Sequence, residues 1–278
     1  MDKNMNFSVL MSIYNNEKPE YFQQAMQSIW DDQTLKPDEI VLVEDGPLNV
    51  ELNAGVEKWQ DKLKNVLKVI ALPQNVGLGA ALNEGLKHCT FECVARMDTD
   101  DISRPERFEK QIGFLISHPD IDIIGSWIGE FEQDETDIYA SRNLPCIHEE
   151  IVKFAKKRTP LNHVTVMFRK SATLRAGSYS SFRFAQDYHL WARMIQSGAK
   201  FANLPEQLLS VRGGRTMAQR RGGIYYAINE YKLQREFLRI GFLSYGEFLR
   251  NVFIRFFIRI IPSGLRSIVY NIFLRQST

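Results

Sequence analysis

Four short runs of β-branched and apolar residues punctuate the first hundred residues, with segments of helical spacing between them. "FSVLMSIYN", "DEIVLVEDG", "VLKVIALPQN" and "CVARMD" read as buried strands. "PEYFQQAMQSIWDDQ", apolar at Phe22, Ala25, Met26 and Ile29, and "VGLGAALNEGLKHC" read as helices. Strands that are apolar throughout need cover on both faces, and crossover helices supply it. The pattern therefore constrains the chain to an α/β fold on a mostly parallel sheet. Ligands of such sheets sit beyond the carboxyl ends of the strands. Three of those ends are polar, "IYNN", "EDG" and "DTDD", and the fold gathers them along one edge.

Beyond Asp101 the elements mix. "PERFEKQIGFLISHP" reads as a helix, with Pro105 near its start and Pro119 after its end. "IDIIGSWIGEF" and "HVTVMFRK" are strand-like. "AQDYHLWARMIQSG" is a helix with Leu190, Trp191, Met194 and Ile195 on its apolar side, and "GGIYYAINEYKLQREFLRIG" is another.

A chain of 278 residues holds one large domain or two small ones. A net charge of +2 supplies no global field for nucleic acid, which is not an expected partner. Cys89, Cys93 and Cys146 form an odd set with no CxxC and no His-rich companion. That suits a reducing compartment rather than a disulfide framework or structural zinc. The apolar stretch at the N-terminus, Phe7 to Ile13, is short and lacks a small-residue cleavage site, so it reads as a strand rather than a signal peptide. No run of eighteen apolar residues occurs, so no ordinary membrane span is expected.

The strand "CVARMD" ends in three carboxylates, Asp98, Asp100 and Asp101. Side by side, like charges raise one another's pKa. A solvated loop would tolerate them. An EF-hand is excluded: counted from Asp98, its fifth and sixth places hold Ile102 and Ser103, where an oxygen ligand and a glycine are needed. The remaining reading is a metal–diphosphate site, in which Mg²⁺ or Mn²⁺ is held by one or two carboxylates and keeps positions open for phosphate oxygens.

Other parts of such a site occur in order along the chain. "VLMSIYNNE", "IVLVEDGP", "NVGLGAALNEGL", "RMDTDDISRPERF" and "QDYHLWARM" together resemble the family 2 glycosyltransferases over roughly residues 6 to 220. The resemblance implies a GT-A fold, a Rossmann-like mixed sheet flanked by helices, and inverting transfer of a sugar from a UDP-sugar donor. It divides the chain into a glycosyltransferase domain over 1–240, with a nucleotide-binding half at 1–101 and an acceptor-binding half at 102–240, and a helical tail at 241–278. Two departures stand out. Glu44 and Pro47 replace the usual Asp and Ser, and Gln186 replaces the usual Glu before Asp187.

Roles follow from the resemblance residue by residue. Asp98 and Asp100 match the DxD pair: Asp100 on the metal, Asp98 on the metal, ribose or sugar. Asp101 joins them or caps the segment from Ser103. Glu44 or Asp45 accepts a hydrogen bond from the base, N3–H of uracil. Ser12 and Tyr14 line the nucleotide pocket, although Tyr14 also suits a core. Asn75 and Asn83 flank a helix start that meets the nucleotide or its phosphates, although Asn75 also suits an N-cap. Asp187 is the general base that deprotonates the acceptor hydroxyl. Trp191 offers a face to the acceptor sugar or packs in the core. His163 touches the acceptor or is structural. Arg212 and Arg215, in "SVRGGRT", close over the diphosphate as flexible cations or lie in a solvated loop.

From Phe248 to Thr278 the chain carries five arginines and no Asp or Glu. On a helical wheel Arg250, Arg255, Arg259 and Arg266 share one half, with Phe and Ile mostly opposite. That is the pattern of a basic amphipathic helix on an anionic membrane, or of a helix packed on the domain or a partner. Soluble members of the family commonly extend sugars on polyprenyl diphosphates during bacterial O-antigen, capsule or exopolysaccharide assembly. The resemblance therefore implies a polyprenyl-diphosphate-linked sugar acceptor and a peripheral, cytoplasmic place on the inner membrane surface. A non-catalytic nucleotide-sugar binder or scaffold subunit is the alternative, distinguished by loss of the base; Asp187 argues against it. Nucleotidyltransferases carry a Gly-rich loop after the first strand, and "IYNNEKPEYF" has no glycine.

Overall fold

The computed structural model describes residues 5–180, 182, 185–213 and 224–260. Its strands are β1 (Phe7–Ile13), β2 (Glu39–Glu44), β3 (Leu67–Ala71), β4 (Cys93–Arg96), β5 (Ile102–Ser103), β6 (Ile123–Phe131), β7 (Ala140–Arg142), β8 (Met167–Arg169) and β9 (Phe201–Arg212). Its helices are α1 (Pro19–Trp30), α2 (Val50–Leu63), α3 (Leu78–His88), α4 (Arg107–Ser117), α5 (His148–Ala155), α6 (Lys170–Arg175), α7 (Gln186–Gln196), α8 (Ile224–Arg239) and α9 (Tyr245–Ile260).

The first four strands pair in parallel in the order β3-β2-β1-β4. β1 lies inside this group, and its residues other than Ser8 and Ser12 are apolar, because both faces are covered. Phe7, Val9, Met11 and Ile13 face α1 and α2 in one core. Leu10 faces α3 in a second core, which also holds residues of α6 and α7. Gly85 lets α3 lie close on the sheet: a Cβ there would stand 2.4 Å from Leu10 Cδ1 and 2.6 Å from Val43 Cγ2.

After β4 the sheet turns mixed. β8 pairs antiparallel with β4, β6 antiparallel with β8, and β9 parallel with β6. β5 and β7 add antiparallel pairs on β9 and β6. "HVTVMFRK" is strand only over Met167–Arg169; His163–Thr165 forms a 3₁₀ turn, fastened by Thr165 Oγ1 to Asn162 O at 2.9 Å. A third apolar cluster joins α7, α8 and the turn after α8 through Tyr188, Ala192, Leu233, Phe237 and Phe242.

α9 begins as part of this body. Asn251 is buried and donates to Lys156 O at 2.7 Å and to Gln234 Oε1 at 3.0 Å. Arg255 is turned inward as well, paired with Glu230 and donating to Lys157 O, so it does not share a solvated basic face. The wheel pattern fails there because a carboxylate on α8 and a helix-end carbonyl offer Arg255 better partners than water. Residues 261–278, with Arg266, lie outside the described residues, as do Arg215 and the side chain of Arg259. Among the described residues no helix is long and apolar enough to cross a membrane.

Candidate active site

The carboxyl ends of β1, β2 and β4 meet at one edge of the sheet, where β4 delivers the acids. Carboxylate oxygens of Asp98, Asp100 and Asp101 all lie within 4.8 Å of one another. Burial pushes the Asp100 carboxyl up, and the neighbouring Asp98 and Glu17 push it further. Glu17 comes from the turn after β1 and is held by Thr99 Oγ1 at 2.8 Å. Asp101 is buried and shifted well upward by burial, then by Asp100 and Asp98. Hard oxygen donors gathered this closely, in surroundings that penalise their charge, fit a divalent cation such as Mg²⁺ or Mn²⁺. Asp101 caps nothing: it accepts the backbone N–H of Arg212 at 2.9 Å, which ties the acidic loop to the end of β9.

Arg212 is a clamp rather than a flexible cation. Its Nε donates to Asp100 O at 3.1 Å and its Nη2 to Gln24 Oε1 at 2.6 Å. Its guanidinium lies between the rings of Tyr21 and Phe131, 3.9 and 4.6 Å from their centroids. The glycines after it suggested mobility; two aromatic faces and two acceptors remove it. Arg215 lies outside the described residues.

At the end of β2 the two acids part company. Asp45 is buried and accepts N–H from Val76 at 2.6 Å and from Gly77 at 3.0 Å, while Asn75 donates to Asp45 O at 3.1 Å. Gly46 has φ +90 and a Cβ there would meet Asn75 N at 2.7 Å, so the two turns interlock only with glycine at that place. Asp45 and Asn75 thus shape the start of α3, and Asn75 is no N-cap, because Gly77 holds that position. Glu44 is half-buried, and loss of water alone pushes its carboxyl up. Unlike Asp45, it is not taken up by the N–H groups of the turn before α3. Ser12 is half-buried and pairs with Val43 in the register of β1 and β2, one place before Glu44, and Tyr14 is 46% exposed, which rules out a core role.

Asn83 is turned to the backbone of Tyr179. It donates to Tyr179 O at 2.7 Å and accepts Tyr179 N–H at 2.9 Å, a two-bond clamp from α3 to the segment after α6. Trp191 is 0% exposed and packs in the core, one turn after Asp187 on α7, rather than presenting its ring face to the crevice. His163 packs edge-on to Trp191 with ring centroids 6.0 Å apart, and its Nε2 lies 2.9 Å from the Tyr179 hydroxyl. Burial, then the charge of Arg96, drives its pKa well below the usual imidazole range, so it is neutral.

Asp187 sits in the first turn of α7, after Ala185 in a left-handed conformation at φ 60. Burial raises its pKa; the Tyr188 N–H and the charges of Arg96 and Arg142 pull it back. A half-buried carboxylate at a helix start, made more basic by loss of water yet kept ionisable, has the properties of a general base.

Sequence reasoning missed Arg96. It is 1% exposed at the end of a strand and bonds Asp98 through Nη2. Its charge also reaches His163, Tyr179 and Asp187. The available signal was alternation: Val94, Arg96 and Asp98 share one side of the strand, so a cation inside an apolar run precedes the acid by one step. Arg107 was missed too. Fully buried, it donates to Arg96 O at 2.7 Å and braces the strand end.

Residues 8–182 match the family described as Glycosyl transferase family 2. An Escherichia coli protein named UDP-Gal:alpha-D-GlcNAc-diphosphoundecaprenol beta-1,3-galactosyltransferase is 38% identical over 99% of this chain and 98% of its own. The amylovoran biosynthesis glycosyltransferase AmsE of Erwinia amylovora is 42% identical over 95% and 97%. The crystal structure of S. aureus TarS 1-349 in complex with UDP-GlcNAc covers 92% of this chain and 72% of its own, with a TM-score of 0.65 and 19% identity, a likeness of fold. With an acid triad at the end of the fourth strand, a helix-start carboxylate across Arg96 from it, and whole-length relatives of one kind, the chain belongs to glycosyltransferase family 2.

Proposed function

We propose that this glycosyltransferase moves one hexose, glucose or galactose, from a UDP-sugar to the sugar of a polyprenyl-diphosphate acceptor of the GlcNAc type, forming a β linkage. The observation that carries the reading is the placement of Asp187: Arg96, which bonds Asp98 of the acid triad, lies within electrostatic reach of it. One crevice thus has a leaving-group end and a base end. The name of the Escherichia coli relative, which gives UDP-Gal as donor and a GlcNAc-diphosphoundecaprenol acceptor, supports the donor and acceptor classes.

Glu44 accepts the N3–H of uracil. Asp98 and Asp100 would hold a divalent ion, Mn²⁺ or Mg²⁺, whose charge would offset that of the departing diphosphate. Asp187 takes the proton of the acceptor hydroxyl as its oxygen bonds the anomeric carbon. The bond from that carbon to the diphosphate oxygen breaks on the opposite face, so configuration inverts and no protein nucleophile is needed. The test is a transfer assay with purified protein, either ion, a panel of UDP-hexoses and a GlcNAc-diphosphate-alkyl acceptor, read by mass and anomeric NMR coupling. A single β-linked disaccharide from one donor is expected. An α-linked product, or no product from any donor, would overturn the reading.

An acceptor carried on a lipid supports a peripheral position on the inner face of the bacterial plasma membrane. Phe253 on α9 is 65% exposed, and two further arginines, Arg266 and Arg275, follow without an acid. A cation near an anionic surface contributes about 1 kcal/mol, so ending the chain at residue 260 should weaken binding to anionic vesicles at least roughly tenfold. Co-sedimentation that is unchanged by the truncation would remove the anchor.

A further inference from the structure

Arg96 has more donors than partners. Its backbone is fixed in the sheet by the N–H bond to Val166 O at 2.8 Å and by Arg107 Nη2 on its carbonyl at 2.7 Å. Its side chain leaves β4 on the side shared with Val94, toward α3, α6 and α7, and Nη2 is taken by Asp98. Nε and Nη1 are buried and have no hydrogen-bond partner. An arginine brought out of water with two N–H directions unanswered is costly, and native interiors rarely keep one without a reason. Arg107, equally buried at the start of α4 and packed on this strand end, has Gln111 and Arg96 O as acceptors. The open donors therefore belong to Arg96 alone of this pair.

Its neighbours say what the missing acceptor is. Asp98 is bonded to Arg96, and Asp187, His163 and Tyr179 lie within reach of its charge. An anion held at Nε and Nη1 would add charge to a site already crowded with carboxylates. A neutral ligand with several lone pairs would not. On the reading given above, the anomeric carbon must lie between the acids that face the diphosphate and the carboxylate that deprotonates the acceptor, so the ring attached to it fills this place.

We propose that Arg96 reads the transferred sugar: Nε–H and Nη1–H donate to hydroxyl oxygens of the donor's hexosyl group while Nη2 holds Asp98. The inference rests on the UDP-hexose reading and assigns the donor's sugar, as distinct from its nucleotide, to a named side chain. A lysine at this place keeps the charge beside Asp98 but supplies a single compact head that cannot serve three directions at once.

The experiment is calorimetric binding to the full chain in Mn²⁺, with UDP, UDP-galactose, UDP-glucose, UDP-GlcNAc and UDP-GalNAc as probes. Arg96→Lys should bind UDP within about threefold of the unsubstituted protein and the preferred UDP-hexose at least tenfold more weakly. That split points to the sugar, because loss of Asp98 positioning would weaken UDP and UDP-hexose together. Equal losses, or no loss, overturn the proposal. A second measurement needs no variant: among 2-, 3-, 4- and 6-deoxy forms of the preferred donor, at least one should bind the unsubstituted protein tenfold more weakly. If none does, no sugar hydroxyl is being read and the proposal fails. Absence of binding of every UDP-hexose by the unsubstituted protein defeats the donor reading itself, a result distinct from both.

Discussion

Asp187→Asn should lower kcat for sugar transfer by roughly 10²–10⁴-fold, the usual contribution of a positioned general base. UDP affinity in the presence of metal should stay within about threefold, since the side chain lies across the crevice from the acid triad. The reason for so large an effect on one step is chemical. An alcohol is a poor nucleophile until its proton has somewhere to go, and asparagine keeps the shape of the residue but cannot take a proton. The pH profile checks the same assignment independently. The base must be ionised to act, and burial raises its pKa above the ordinary carboxylate value. Activity should therefore fall as pH drops through that raised value, at a pH above the range of an exposed aspartate. The acid limb should vanish from the residual rate of Asp187→Asn. Retained turnover in the variant would place the base elsewhere.

Asp100→Asn should remove metal-dependent UDP binding, with a loss exceeding about 100-fold. Groups that merely orient a metal's ligands are already worth 10–100-fold, and Asp100 is assigned to the ion directly. Stability should move the other way. Burial, Asp98 and Glu17 hold the Asp100 pKa above its unfolded value, so in the metal-free protein its contribution to stability is fully present below the unfolded pKa and is lost as pH rises through the folded one. Removing the charge should raise the melting temperature of the metal-free variant near neutral pH and abolish the further rise that Mn²⁺ with UDP gives the unsubstituted protein. Thermal scans with and without Mn²⁺ and UDP separate these effects. A variant that is still stabilised by the ligand pair would take Asp100 out of the metal site.

Much of the fold was legible because periodicity survives in a single sequence. β1 to β4 are short apolar runs, and α1, α3, α4, α7 and α8 carry helical stripes, so their type and order follow from which residues must leave water. Six elements escaped, α2, α5, α6, β5, β7 and β9, and three of them show why. α2 has its apolar residues at Leu52, Val56, Trp59 and Leu63, but polar side chains and Gly55 dilute the stripe. α5 offers two turns with only Ile151 and Ala155 buried. β9 has an exposed polar middle, Pro205 to Gln207, and pairs with β6 through a register shift that no local pattern announces.

The site divides along the same line. The sequence by itself determined where the chemistry-bearing residues are: acids at strand ends, Asp187 at a helix start, a chain that alternates strand and helix so that those ends converge. These are local facts, set by propensity and by the spacing of apolar residues. Tertiary structure alone decided which of them are free to act. Asp45 and Glu44 are neighbours of the same type, yet two backbone N–H groups from a turn thirty residues away occupy one and leave the other open. Asn83 is spent on Tyr179, Arg212 is pinned between two rings, and Trp191 is sealed in the core, while Arg96, unremarkable inside a strand, carries two open donors between the acids and the base. The physical reason is that a polar group's availability is the remainder after its hydrogen bonds and burial are counted, and the partners that set that remainder come from residues far away in sequence.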